Sequence, residues 1–248
     1  MKKRRILIQV YSDFESLEYL DQLKNLNLYI GNLFEFYLPE FYTNIKKIVI
    51  ELVNDKNYSL VIPKDLTLEV CTIRKSFDFL KFDLLNTEFK KELLFEFTFN
   101  CLNEVFEKLN FDLIELRDTK ERIIKNKFHF EVNLCNTPLS SKLNTTATLI
   151  AEHYIEFALI SLVIYKDNFE KKIPLFKSIP HYFMYSQVIN KVMWLSNDVV
   201  QLLNKEKDFI INISLGETIT CLYRSDSREM EDIKSELKFL TQEILFEI

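Results

Sequence analysis

Gly31 and Gly216 are the only glycines in 248 positions, where average usage of about 7% would give on the order of 17. A loop that cradles a phosphate needs glycine, because its backbone must approach the ligand closely and often at positive φ. The dinucleotide and P-loop fingerprints each require more closely spaced glycines than the chain contains, and so does the nucleophile elbow of α/β-hydrolases. Counting alone excludes those site types, and no cofactor is expected. A compositional bias toward Lys, Ile, Asn and Phe is the non-functional explanation for the same scarcity.

The rest of the composition is that of a folded chain. Hydrophobic residues make up 48% and charged residues 28%, and the 22 Phe and 11 Tyr supply a core that needs no disulfide or metal staple. The net charge is −5, with 19 basic and 21 acidic residues in 1–125 and 13 and 16 in 126–248. Neither half is a basic arm. The one basic cluster, Lys2-Lys3-Arg4-Arg5, reads as a solvated start of the chain, so nucleic acid is not an expected partner.

Cys71, Cys101, Cys135 and Cys221 stand far apart without a CxxC pair, which fits neither zinc nor redox motifs and points to a reducing compartment. The opening MKKRRILIQVYSDFE meets Asp13 and Glu15 too soon for a signal peptide. Thr146–Tyr165 is long enough for a membrane span but carries Glu152, His153 and Glu156. No membrane is expected, and the cytoplasm is the expected location.

Thr146–Tyr165 is instead the most apolar run in the chain, and its β-branched and aromatic content predicts one or two central strands. The long helical pattern at Thr87–Leu109, with Asn86 or Thr87 as its cap and Glu88 in its first turn, is the expected cover. Before it, Arg4–Tyr11 reads as a strand, Ser16–Leu26 as a helix, and Lys47–Val53 and Tyr58–Ile62 as strands joined by a polar turn. Leu66–Ile73 reads as a half-buried strand with Leu66, Leu68, Val70 and Thr72 on one face. Phe111–Leu116 fits a strand or a continued helix, and the charged stretch Arg117–Lys127 is the candidate boundary.

After it come a strand at Phe128–Leu134, a connector bracketed by Pro174 and Pro180, and helical periodicity over Tyr182–Leu203. A hairpin follows around Gly216-Glu217, and Ser225–Ser227 then precedes a final helix to about Phe246. The expected fold class is α+β, with antiparallel or mixed β-sheets covered by long amphipathic helices. Two halves of similar size, 1–125 and 126–248, stand either as separate domains or as one.

No motif assigns catalytic chemistry, and no catalytic residue is named. His129 and Glu131 share a strand face, and with His153 they would complete a two-His, one-carboxylate metal set if the strands pair suitably. Two polar residues on a solvated strand face is the plainer reading. The aromatic stretch Tyr29–Tyr42 and the acidic residues from Asp13 to Asp21 form the other candidate, read either as core or as a partner surface.

Its named members are Asp13, Glu15, Glu18, Tyr29, Phe36, Tyr37 and Tyr42. The C-terminal helix carries Met230, Ile233, Leu237, Leu240 and Ile244 at coiled-coil spacing, a possible homodimer seam of about two heptads. The functional expectation is a protein-binding module, for example an immunity-type protein that neutralises a basic toxin by covering it. A metal-assisted hydrolase or nuclease, and a structural subunit of a homo-oligomer, are the rival classes.

Overall fold

The computed structural model describes residues 2–12, 20–54, 58–62, 69–136, 145–166, 169–178, 180, 189–196, 199–205, 209–215, 219–225, 238–239 and 243–246. Its content is α+β, and the chain divides into two compact units, Met1–Phe130 and Glu131–Ile248. Among the described residues, no helix is long and apolar enough to cross a membrane.

The first unit is built on a four-stranded sheet. Strands β1 (Lys2–Arg4) and β2 (Leu7–Ser12) divide the segment expected as one strand, and helix α1 (Leu20–Tyr37) follows. Next come β3 (Phe41–Thr43), β4 (Lys47–Val53), β5 (Ser59–Val61) and β6 (Val70–Ser76). The sheet order is β2-β4-β6-β5, while β1 and β3 pair as a separate ribbon. Because β2 and β4 are parallel, a tight turn cannot join them, and α1 supplies the crossover. Strands β4 and β5 are not neighbours, as a polar turn between them had suggested; β6 lies between them, parallel to β4 and antiparallel to β5.

One sheet face is apolar row by row: Ile8 opposite Ile48 opposite Cys71, then Val10 opposite Ile50 opposite Ile73, all buried. This corrects the expected phase of β6 by one residue. Cys71 and Ile73 point inward, and Val70 is left 44% exposed. A shift of one position moves every side chain to the other face, so the phase decides which residues form the core.

Helices α2 (Phe79–Asp83), α3 (Thr87–Leu109) and α4 (Leu113–Lys125) complete the unit. Asn86 caps α3 by accepting from the Phe89 N–H, and Asn110 ends it in the left-handed region at φ 52°. Asp112 then caps α4, accepting from the Ile114 N–H, so Phe111–Leu116 neither continues α3 nor forms a strand. The inward stripe of α3 contains Leu94, Thr98, Cys101, Leu102, Val105 and Phe106, against α1, α4 and β6. Phe89, in the first turn of α3, is exposed.

The second unit contains two five-stranded sheets that share one core. Strands β7 (Phe130–Asn136), β8 (Thr145–His153), β9 (Ala158–Lys166) and β10 (Phe169–Ser178) lie in the order β15-β10-β9-β8-β7, where β15 is Lys238–Phe239. The apolar run is therefore two antiparallel strands, with β9 central. Strands β11 (Lys191–Trp194), β12 (Val199–Leu203), β13 (Phe209–Leu215), β14 (Ile219–Ser225) and β16 (Glu243–Phe246) form the other sheet in that order. Leu149, Ile160, Leu162 and Phe176 from the first sheet join Val192, Val200, Leu202 and Ile213 from the second in one buried cluster. That is the layering of a β-sandwich.

Three sequence expectations change here. Pro174 lies within β10 rather than in a connector, next to a register shift between Pro174 and Phe176 that accommodates its missing N–H. Where Tyr182–Leu203 is described it contains strands β11 and β12, and none of its described residues is helical. Of the proposed C-terminal seam, Met230, Ile233, Leu237 and Leu240 lie outside the described residues, and Ile244 is in β16, parallel to β14. The hairpin of β13 and β14 forms as expected.

Candidate functional site

Among the described residues of the first unit, the most exposed large apolar side chains lie where β6 hands over to the helices. Asp78 caps α2, its carboxylate accepting from the Lys81 N–H at 2.9 Å. The short helix buries Phe79 and Phe82, which meet Phe77 at ring-centroid distances of 5.1 and 5.4 Å. Phe97 of α3 closes the same nest at 5.0 Å. A helix of five residues has one buried side, and these rings occupy it. Leu80 and Leu84, four residues apart on the other side, are left 82% and 87% exposed, and Phe89 follows at 56%.

The charges around these residues are sorted by direction. Lys90 lies 5.4 Å above the Phe82 ring and 3.9 Å from Asp83. Lys91 lies 4.6 Å above the Phe128 ring and pairs with Glu88. Both lysines are buried along α3, the guanidine-free ammonium heads resting on aromatic faces. Their carboxylate partners face outward: Asp83 is 38% and Glu88 71% exposed at the side chain, and Glu92 is also exposed. Lys81 is the exposed cation in Asp78–Glu92. Leu80, Leu84 and Phe89 are thus exposed among charges of both signs, with Asp83 and Glu88 paired to Lys90 and Lys91, and Asp78, Lys81 and Glu92 exposed.

Three of the four aromatic candidates, Tyr29, Phe36 and Tyr37, meet the segment after α4, and Tyr42 does not. Tyr29 is buried on α1 and donates from its hydroxyl to the Phe128 carbonyl. Tyr37, two turns on and half-buried, donates to the His129 carbonyl at 2.7 Å. Phe36 packs against Tyr37 and Phe130. These contacts hold the segment after α4, where Lys127 and Phe128 take positive φ of 52° and 62°. Tyr42 is 70% exposed, opposite Lys3 in the β1–β3 ribbon. Asp13, Glu15 and Glu18 lie outside the described residues.

Of the metal candidates, His129 is an exposed residue of the first unit. Glu131 and His153 belong to the second, where Lys172 reaches Glu152 at 2.8 Å and Glu131 at 3.6 Å, and His153 is buried at the end of β8. Among the described residues, no three His, Cys, Asp or Glu side chains gather as a metal-holding group.

Burial pushes the thiols of Cys71 and Cys135 from 9.0 up to about 11, and Cys101 to about 12. Such thiols are not nucleophiles near neutral pH. Glu104 is held in an ion pair by Lys75. An open concavity of about 490 Å³ runs along α4 beside Glu115, Asp118, Glu121, Arg122 and Lys125, without a nucleophile–base pair.

Comparison of the chain with protein-family models, curated proteins and solved structures returned no match. The sequence signal for the exposed apolar site was present in Phe77–Leu85, which has more large apolar side chains than one short helix face can bury.

Proposed function

We propose that the protein is a protein-binding module, with a stoichiometric inhibitor of the immunity type as its specific form. The observation that carries this reading is the outward display of Leu80 and Leu84 at 82% and 87% exposure. Each leucine transferred to an interface would contribute roughly 1.5–3 kcal/mol, enough to anchor a modest complex when side chains of this kind sit close together. Among the described residues, the Cys71 and Cys101 thiols are buried, Cys135 is half-buried, and the Tyr29 and Tyr37 hydroxyls hold backbone.

The test is affinity capture of the full chain from the cells that make it, at low and moderate salt, with quantification of what co-purifies. One partner near equal stoichiometry is the expected result. Nothing retained at either salt would contradict the reading.

A further inference from the structure

We infer that helix α1 guards the open edge of β2: through Gly31 and Glu35 it covers the outward backbone of that strand and keeps it from pairing with the same strand of a second copy of this chain. Strand β2 is outermost in its sheet, with β4 on one side and, among the described residues, no strand on the other. Its residues Leu7–Ser12 hold no charge, no proline and no glycine. An uncharged, β-prone segment at a sheet edge is a template for a further strand, and native edges are covered, charged or bent to prevent it.

The hydrogen-bond pattern fixes which groups lie on that edge. The Leu7 N–H donates to the Lys46 carbonyl at 2.9 Å, and Leu7 is in register with Lys47. Leu7 and Gln9 therefore turn their N–H and C=O groups toward β4, and Ile8 and Val10 turn theirs outward. Helix α1 occupies that outward side. The Ile8 carbonyl oxygen and the Val10 nitrogen lie 2.5 and 3.8 Å from where a Cβ on Gly31 would stand. The Ile8 N–H donates to the carboxylate of Glu35, one helical turn beyond Gly31 and half-buried.

Three successive outward groups of β2 are thus met by one helix, two by its backbone at Gly31 and one by the Glu35 acceptor. Glycine admits the close approach, and the carboxylate takes the donor that a neighbouring strand would otherwise take. Uncovered, β2 could lie antiparallel against its own copy about a twofold axis, each outward N–H facing an outward C=O.

Hydrogen exchange of the full chain, read amide by amide by NMR, is the test. The Ile8 amide should exchange slowly in the parent, although no described strand lies beyond it. In Glu35→Ala its exchange should quicken about tenfold or more, and in Glu35→Gln, whose amide oxygen accepts the same bond, by no more than about threefold. The Gln9 amide, turned toward β4, should keep the parent's rate in both, which separates loss of the guard from loss of stability. Sedimentation gives the second readout. Gly31→Val with Glu35→Ala, confirmed folded, should gain mass toward a dimer as concentration rises. Adding Tyr11→Lys, which charges the edge strand, should return it to the parent's mass.

An Ile8 amide exchanging as fast in the parent as in Glu35→Ala, or Ile8 and Gln9 quickening together, would overturn the assignment. So would a folded double variant that keeps the parent's mass at every concentration.

Discussion

The carbonyl oxygen of Ile8 in β2 lies 2.5 Å from where a Cβ on Gly31 would stand. Helix α1 therefore packs on the strand backbone itself, and one of the two glycines in the chain sits in mid-helix, where glycine costs roughly 1 kcal/mol relative to alanine. Close approach outweighs helix propensity at this position. Because the obstacle is backbone, no rotamer change can relieve it.

Gly31→Ala is accordingly expected to destabilise the protein by about 1–2 kcal/mol, the clash exceeding the propensity gain. Urea unfolding reads the difference. A variant as stable as the parent, or more so, would mean that α1 can move off β2 without loss.

The hydroxyls of Tyr29 and Tyr37 set a graded pair of expectations. Tyr29→Phe leaves the Phe128 carbonyl without its donor in a part-buried setting and should cost about 1–2 kcal/mol. Tyr37→Phe loses an exposed bond and should cost less. At the neighbouring exposed Lys127, whose φ is 52°, glycine should be neutral or stabilise by up to about 1 kcal/mol. The reverse order for the two tyrosines in urea midpoints would contradict the pinned geometry after α4.

Stability should fall on the alkaline side. The folded state keeps Cys71, Cys101 and Cys135 protonated up to about 11, 12 and 11, whereas the ordinary thiol value is 9.0. The stabilising difference is fully present below that ordinary value. Above it the unfolded chain loses thiol protons that the folded chain keeps, and stability declines until the folded thiols ionise too. Unfolding midpoints between about pH 8 and pH 11 should drop less steeply in Cys101→Ala than in the parent. Parallel slopes would show that this thiol is not the group responsible.

In the second unit, Lys172→Met should cost about 1–2 kcal/mol, because Glu152 is only 13% exposed at its side chain and loses its cation. The 45% exposed Glu131 adds little to that loss. Glu152→Gln added to Lys172→Met should recover part of it. No recovery would place the effect in lost packing of the lysine stem rather than in charge.

Where local pattern and tertiary demand agreed, the sequence was readable. Asn86, Glu88 and the apolar spacing of Thr87–Leu109 mark α3 with its observed bounds, and Lys47–Val53 is β4 residue for residue. Tyr182–Leu203 misled because Val192, Leu195, Val199 and Leu202 satisfy a helical spacing, whereas Val192 lies in β11 and Val199 and Leu202 in β12. Leu195, which a helix would bury, is 51% exposed beyond β11.

The role of Tyr29 could not be read, since its partner is a backbone carbonyl 99 residues away. The exposure of Leu80 and Leu84 follows from the rings of Phe77, Phe79 and Phe82 filling the other side of α2, a tertiary choice that the local sequence does not fix.

The most direct test of the binding surface is parallel affinity capture with the parent chain and with Leu80→Asp/Leu84→Asp, both confirmed folded. The expected result is one protein retained near equal stoichiometry by the parent and lost from the double variant. Equal retention by both chains would contradict it.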